Sequence, residues 1–132
     1  MNKGIKGKLA AFFGYIGTLA ADTNVASVDT KDINSVGFLV QVGAFSFTGV
    51  NKVGLKLQHS DDNSTFTDVD AIDYEGGAMK ELSAAGDASK VHAVGYIGIK
   101  RYVRLVLDVS GTVSVSCAVT GISTDPEYKP AI

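Results

Sequence analysis

Tryptophan is absent from this chain of 132 residues, proline and histidine occur twice each, and cysteine occurs once, at Cys117. One cysteine makes no intrachain disulfide, and two histidines with a single thiol are too few for a Cys/His zinc site. Nor is there a large charge excess. Twelve basic against fourteen acidic side chains leave a formal −2, so the chain as a whole has no electrostatic pull toward nucleic acid. No G-x-G-x-x-G, Walker A or G-x-S-x-G run occurs, which removes the sequence warrants for phosphate cradling and for a serine nucleophile. The uncharged run from Leu9 to Ala21 falls short of the roughly 20 apolar residues that span a bilayer as a helix. What remains is ordinary globular material: 45% apolar and 20% charged residues, with fifteen glycines. Such a chain suits one all-β domain able to bury a core without staples.

Charge is distributed in blocks. Lys3, Lys6 and Lys8 open the chain. Asp61, Asp62, Asp68, Asp70, Asp73, Glu75, Glu81 and Asp87 then dominate residues 58–89, and Lys90, Lys100, Arg101 and Arg104 follow. Blocks of opposite sign on one small domain suit contact with complementary charge on a partner or on another copy.

Residues 1–21 have the layout of a secretory signal peptide, basic first and then apolar, but Gly14 and Gly17 weaken any helix there. We read the segment as a retained interaction arm. Its candidate contact residues are Lys3, Ile5, Lys6, Lys8, Leu9, Phe12, Phe13, Tyr15 and Ile16. The alternative is that the segment supplies an ordinary edge of the chain's own core.

From Val36 onward the periodicity is two. Val53, Leu55, Leu57 and His59 alternate with Gly54, Lys56, Gln58 and Ser60, which is the mark of a strand with one buried face. Val103, Leu105, Leu107 and Val109 repeat the pattern, as do Val113, Val115, Cys117 and Val119. Gly37–Phe47 reads as a buried strand and Ala71–Tyr74 as a short one. Asp61-Asp62-Asn63-Ser64 reads as a hairpin turn, Ser110-Gly111-Thr112 as a second, and residues 78–90 as a loop. The expected fold is an antiparallel β-sandwich, jelly-roll-like, over residues 22–122. Its expected core includes Phe38, Val40, Val42, Val53, Leu55, Leu57, Val103, Leu105, Leu107, Val115, Cys117 and Val119. Residues 123–132, with both prolines, form a tail.

Chemistry is sparsely provided. His59 and His92 lack a third ligand in view, Cys117 falls on an apolar face, and the acidic series from Asp61 to Glu75 lacks the calcium-loop spacing. No catalytic residue, cofactor or metal is therefore expected. Arg101, Tyr102 and Arg104 combine cation and ring in the manner of a possible contact surface.

Two runs carry a resemblance. They are Leu57-Gln58-His59-Ser60-Asp61-Asp62-Asn63-Ser64-Thr65-Phe66-Thr67-Asp68-Val69 and Val94-Gly95-Tyr96-Ile97-Gly98-Ile99-Lys100-Arg101-Tyr102-Val103-Arg104. Together, over about residues 25–122, the chain resembles the small capsid decoration (cement) proteins of tailed bacteriophages. The apolar, lysine-bearing arm and the Ile-Ser-Thr-Asp-Pro run after Gly121 depart from that pattern. The resemblance implies a non-enzymatic virion protein on the outer capsid surface, clamping neighbouring major capsid subunits. Its partners would be the major capsid protein and other copies of itself, with no nucleic acid or membrane partner. The other class considered is a secreted or virion-attached carbohydrate-binding or adhesion sandwich, for which Tyr74, Tyr96, Tyr102 and Tyr128 are the available rings.

Overall fold

The computed structural model describes residues 9–31, 35–75, 77 and 79–124. Its strands are β1 (Leu9–Leu19), β2 (Thr23–Asn24), β3 (Val28–Asp29), β4 (Ser35–Val42), β5 (Lys52–Ser60), β6 (Thr67–Asp68), β7 (Tyr74–Glu75), β8 (Lys80–Leu82), β9 (Lys90–Tyr96), β10 (Tyr102–Ser110) and β11 (Val115–Thr124). All ladders are antiparallel, and they nest. β1 pairs with β11, β2 and β3 with β10, β4 with β9, and β5 with β6 and β8. The chain is thus one long ribbon rolled over on itself, so that β11 also meets β4 and β10 also meets β5. That is a jelly roll. One sheet is five-stranded, in the order β1-β11-β4-β9-β7. The other is six-stranded, running β2-β10-β5-β6, with β3 also on β10 and β8 also on β5.

The period-two segments face each other as their patterning requires. In the β5–β10 ladder Leu57 stands opposite Leu105 and Leu55 opposite Leu107, and all four leucines are fully buried. Val40 stands opposite Val119 and Val42 opposite Cys117 in the other sheet. Lys56 and Gln58 turn outward and are half-buried. The expected core residues all lie in one cluster between the sheets.

Several expectations are corrected. The sandwich takes in much of the supposed arm. Leu9–Leu19 is the edge strand of the domain's own described sheet, paired with β11 on both sides of a register shift between Phe13 and Tyr15, and Leu19 is fully buried. The hydrogen bonds that such a segment needs are supplied by β11. Lys3, Ile5, Lys6 and Lys8 lie outside the described residues, as does most of the tail. Ser110-Gly111-Thr112 does not close a hairpin, because β10 and β11 belong to opposite sheets. Gly111, at φ 73°, arches between them while the Asn51 side-chain oxygen accepts the Thr112 N–H at 2.9 Å. Ala71–Asp73 is a 3-10 turn ahead of the short β7. Residues 78–90 contain β8, anchored by the fully buried Leu82. The strand expected over Gly37–Phe47 stops at Val42, although Phe47 remains buried.

Candidate functional site

The two runs that carry the family resemblance meet at one end of the sandwich. The first leaves β5 through a turn closed by its own polar side chains. The Ser60 hydroxyl donates to Asp62 Oδ1 at 2.8 Å and accepts the N–H groups of Asp62 and Asn63 at 3.1 and 2.9 Å. Asp62 Oδ1 accepts the N–H groups of Ser64 and Thr65 at 2.9 and 3.0 Å. These bonds, that from Thr65 foremost, hold the Asp62 carboxyl down at about 2. Asn63, at φ 60°, takes the left-handed conformation that asparagine tolerates better than most side chains. The S-D-D-N-S run is therefore a folding device.

The second run packs onto it. The Tyr96 hydroxyl accepts the Lys100 N–H at 3.0 Å and lies 3.0 Å from Nδ1 of His59. The hydroxyl thus meets a backbone N–H on one side and an imidazole nitrogen on the other, both within hydrogen-bond reach. Burial first, and then the Lys100 charge, lower the His59 pKa. A Cβ on Gly98 would come within 2.5 Å of the Tyr96 hydroxyl, so the G-Y-I-G-x-K spacing needs glycine where the loop folds over the ring. Lys100 Nζ pairs with Asp61 at 2.9 Å.

Around this crossing lies a polar cleft of about 230 Å³ lined by His59, Ser60, Asp61, Asp62, Thr65, Thr67 and Lys100. Its carboxylates are already engaged, Asp61 by Lys100 and Asp62 by its own turn. Among the described residues no group of three or more His, Cys, Asp or Glu side chains is placed to hold a metal ion. Asp68 bonds Gln58 at 2.9 Å and pairs with Lys56 at 3.4 Å on the outer face of the six-stranded sheet. His92 belongs to the other sheet, with Nε2 2.8 Å from the Asp87 carbonyl. Cys117 is buried, which pushes its thiol up to about 11.

Arg101, Tyr102 and Arg104 do not converge on one point. Arg101 grips Asp29 of β3 in a two-pronged contact at 2.8 and 2.7 Å and lies 5.1 Å from the centre of the Tyr102 ring. That guanidinium holds the Asp29 carboxyl at about 2. Arg104 donates twice to Gln58 Oε1, at 3.0 and 2.7 Å, and stacks 4.1 Å over Phe66. Both guanidinium groups fasten neighbouring segments of this chain. Of the arm residues, Leu9, Phe12, Phe13 and Tyr15 are placed by backbone pairing in β1, and Ile16 is 70% exposed.

Sequence reasoning missed one feature at the same end. Ile72, Ile97 and Ile99 are 80%, 57% and 100% exposed. The Ile97 N–H donates to the Asp73 carbonyl at 2.8 Å, tying the turn that bears Ile72 to the loop that bears the other two. Ile99 is followed along the chain by Lys100 and Arg101, which pair with Asp61 and Asp29. The only sequence signal was an apolar side chain on each side of Gly98, inside a loop where solvent should favour polar residues.

No protein-family model and no curated protein matches the sequence. Among solved structures, the chain is similar in fold to the crystal structure of PBSX exported protein XepA, with a TM-score of 0.61 at 16% identity. The match covers 93% of this chain and 39% of that one, so the chain spans well under half of the length of its structural neighbour.

Proposed function

We propose that this chain is a non-enzymatic structural protein of a tailed-bacteriophage virion. It sits on the outer surface of the capsid and clamps neighbouring major capsid subunits. The observation that carries this reading is the exposure of Ile97 and Ile99 in the second family-like run and of Ile72 in the turn tied to it, with the paired Lys100 and Arg101 next along the chain. Apolar anchors beside charged residues have the anatomy of a protein–protein contact. The anchors are held on loops whose geometry is fixed by the Tyr96, His59 and Asp62 hydrogen bonds, so little ordering cost falls on binding. A capsid presents the same epitope many times at fixed spacing, which turns a modest single contact into firm attachment. Likeness in fold to the PBSX exported protein XepA, a phage protein, agrees with a phage setting.

Co-sedimentation of the purified chain with assembled capsids tests this. The wild-type chain pellets with particles, and the double variant Ile97→Asp, Ile99→Asp stays in the supernatant while keeping its fold. A chain that never pellets, or a variant that pellets equally well, overturns the reading.

A carbohydrate-binding role would rest on the polar cleft beside His59. Tyr74 and Tyr96 are buried and Tyr102 is half-buried against Arg101. That removes much of the exposed ring surface on which a sugar would stack.

A further inference from the structure

The sheet edges of this jelly roll are not alike. β7 is two residues long and carries Glu75. β2, β3 and β6 are also two residues each, and β8 is three residues with Lys80 and Glu81. Short, charged edges of this kind discourage pairing with another chain. β1 differs on both counts. It runs for eleven residues, LAAFFGYIGTL, without a charge or a proline, and among the described strands it stands at the end of its sheet, beside β11.

We propose that β1 is a self-association edge. Two copies join antiparallel along Leu9–Leu19, about a two-fold axis, to make one continuous sheet through both. A strand edge paired antiparallel with its own copy is self-complementary, because each row of N–H and C=O groups meets the same row reversed. Eleven residues extend for about 37 Å, and a ladder of that length supplies on the order of ten hydrogen bonds, the number a stable interface ordinarily carries. The register shift between Phe13 and Tyr15 leaves Gly14 as the bulged residue, at the middle of the strand. An axis through Gly14 sets bulge against bulge and keeps the ladders on either side paired.

Charge favours a second copy as the occupant. Among the described side chains beside β1, the outward positions of the same sheet, including Ile16, Thr18, Ser116, Ala118, Thr120 and Gln41, carry no ionisable group. The first outward charge is Glu75, on the far edge. Among the described residues, two copies meeting edge to edge therefore bring no like charges together. The outer face of the six-stranded sheet, with Lys52, Lys56, Arg104, Asp68 and Asp108, has no such neutrality. A groove of about 460 Å³ lined by Ile16, Gln41, Ser116 and Ala118, among others, runs beside the edge and gives the partner strand's outward side chains a place to rest.

This inference is independent of the capsid reading, and its test uses no particles. Sedimentation equilibrium of the full chain should show a dimer at micromolar concentration. Ile16→Lys puts a charge beside the edge at a position 70% exposed, so the fold persists while dimerisation weakens by roughly tenfold or more. Amide exchange supplies the second readout. In the dimer, the β1 amides that point away from β11 are protected, and that protection is lost on dilution or in Ile16→Lys. A chain that stays monomeric throughout overturns the proposal. So does an oligomer that Ile16→Lys leaves intact, or one in which those amides exchange freely.

Discussion

The Tyr96 hydroxyl stands 3.0 Å from Nδ1 of His59, joining β9 of one sheet to β5 of the other. The rings meet nearly edge to face, their centroids 5.7 Å apart. Because the same hydroxyl accepts the Lys100 N–H, one atom fastens the two sheets and the loop that bears Ile97 and Ile99. Tyr96→Phe leaves His59 and the Lys100 N–H without their partner in a largely buried place. The expected cost is about 1–3 kcal/mol, read as a lower urea midpoint. An unchanged midpoint would mean that water replaces the hydroxyl without loss.

Gly98→Ala attacks the same joint from outside, since the new Cβ would come within 2.5 Å of the Tyr96 hydroxyl. Either the loop lifts or the ring shifts, at a cost of about 1–3 kcal/mol. A denaturation curve matching wild type would show that the loop has slack.

Stability should fall with pH in two separate windows. His59 has a folded pKa below its ordinary 6.5, so the unfolded chain binds the proton more readily. The stability linked to it is complete above that value and declines as the pH drops below it. Asp29 and Asp62 are held at about 2 rather than 3.8. Their contribution is complete above 3.8 and disappears between 3.8 and 2. Urea midpoints measured across pH check both windows, and His59→Gln should flatten only the upper one. A slope of opposite sign near neutrality would mean that His59 is charged in the fold.

Two truncations separate arm from sandwich. Removing residues 2–8 leaves β1 whole, and the domain should fold with wild-type cooperativity. Removing residues 2–17 strips most of β1 from β11 and uncovers the sheet edge at Cys117 and Val119, which lie opposite Gly17 and Tyr15. That variant should unfold well below the first, as thermal melting would show. Equal melting of the two would return β1 to the status of an appended arm.

Much of this architecture was legible in the residues, and what was hidden has physical causes. The β5 and β10 alternations fixed the inner leucines, because slipping either strand by one residue would bury Lys56 or Arg104. Sheet membership was not legible. A tight Ser-Gly-Thr link serves a hairpin or an arch between sheets equally well locally, and the deciding contact is Asn51, far away in sequence. β8 hid because only Leu82 of its three residues faces inward. β1 read as an arm because its partner, β11, lies at the other end of the chain. At the candidate site, the S-D-D-N-S turn and the G-Y-I-G-x-K loop were visible as motifs. Their polar side chains proved to serve folding, while the exposed surface lies in the isoleucines between them.

The most direct test of the proposed capsid binding is a cryo-electron-microscopy reconstruction of the phage particles proposed to carry this chain. A jelly roll on the outer shell, with its Ile72, Ile97 and Ile99 end against the major capsid protein, is the expected result. An outer shell bare of this density, with the chain absent from the purified particles, would contradict the proposal.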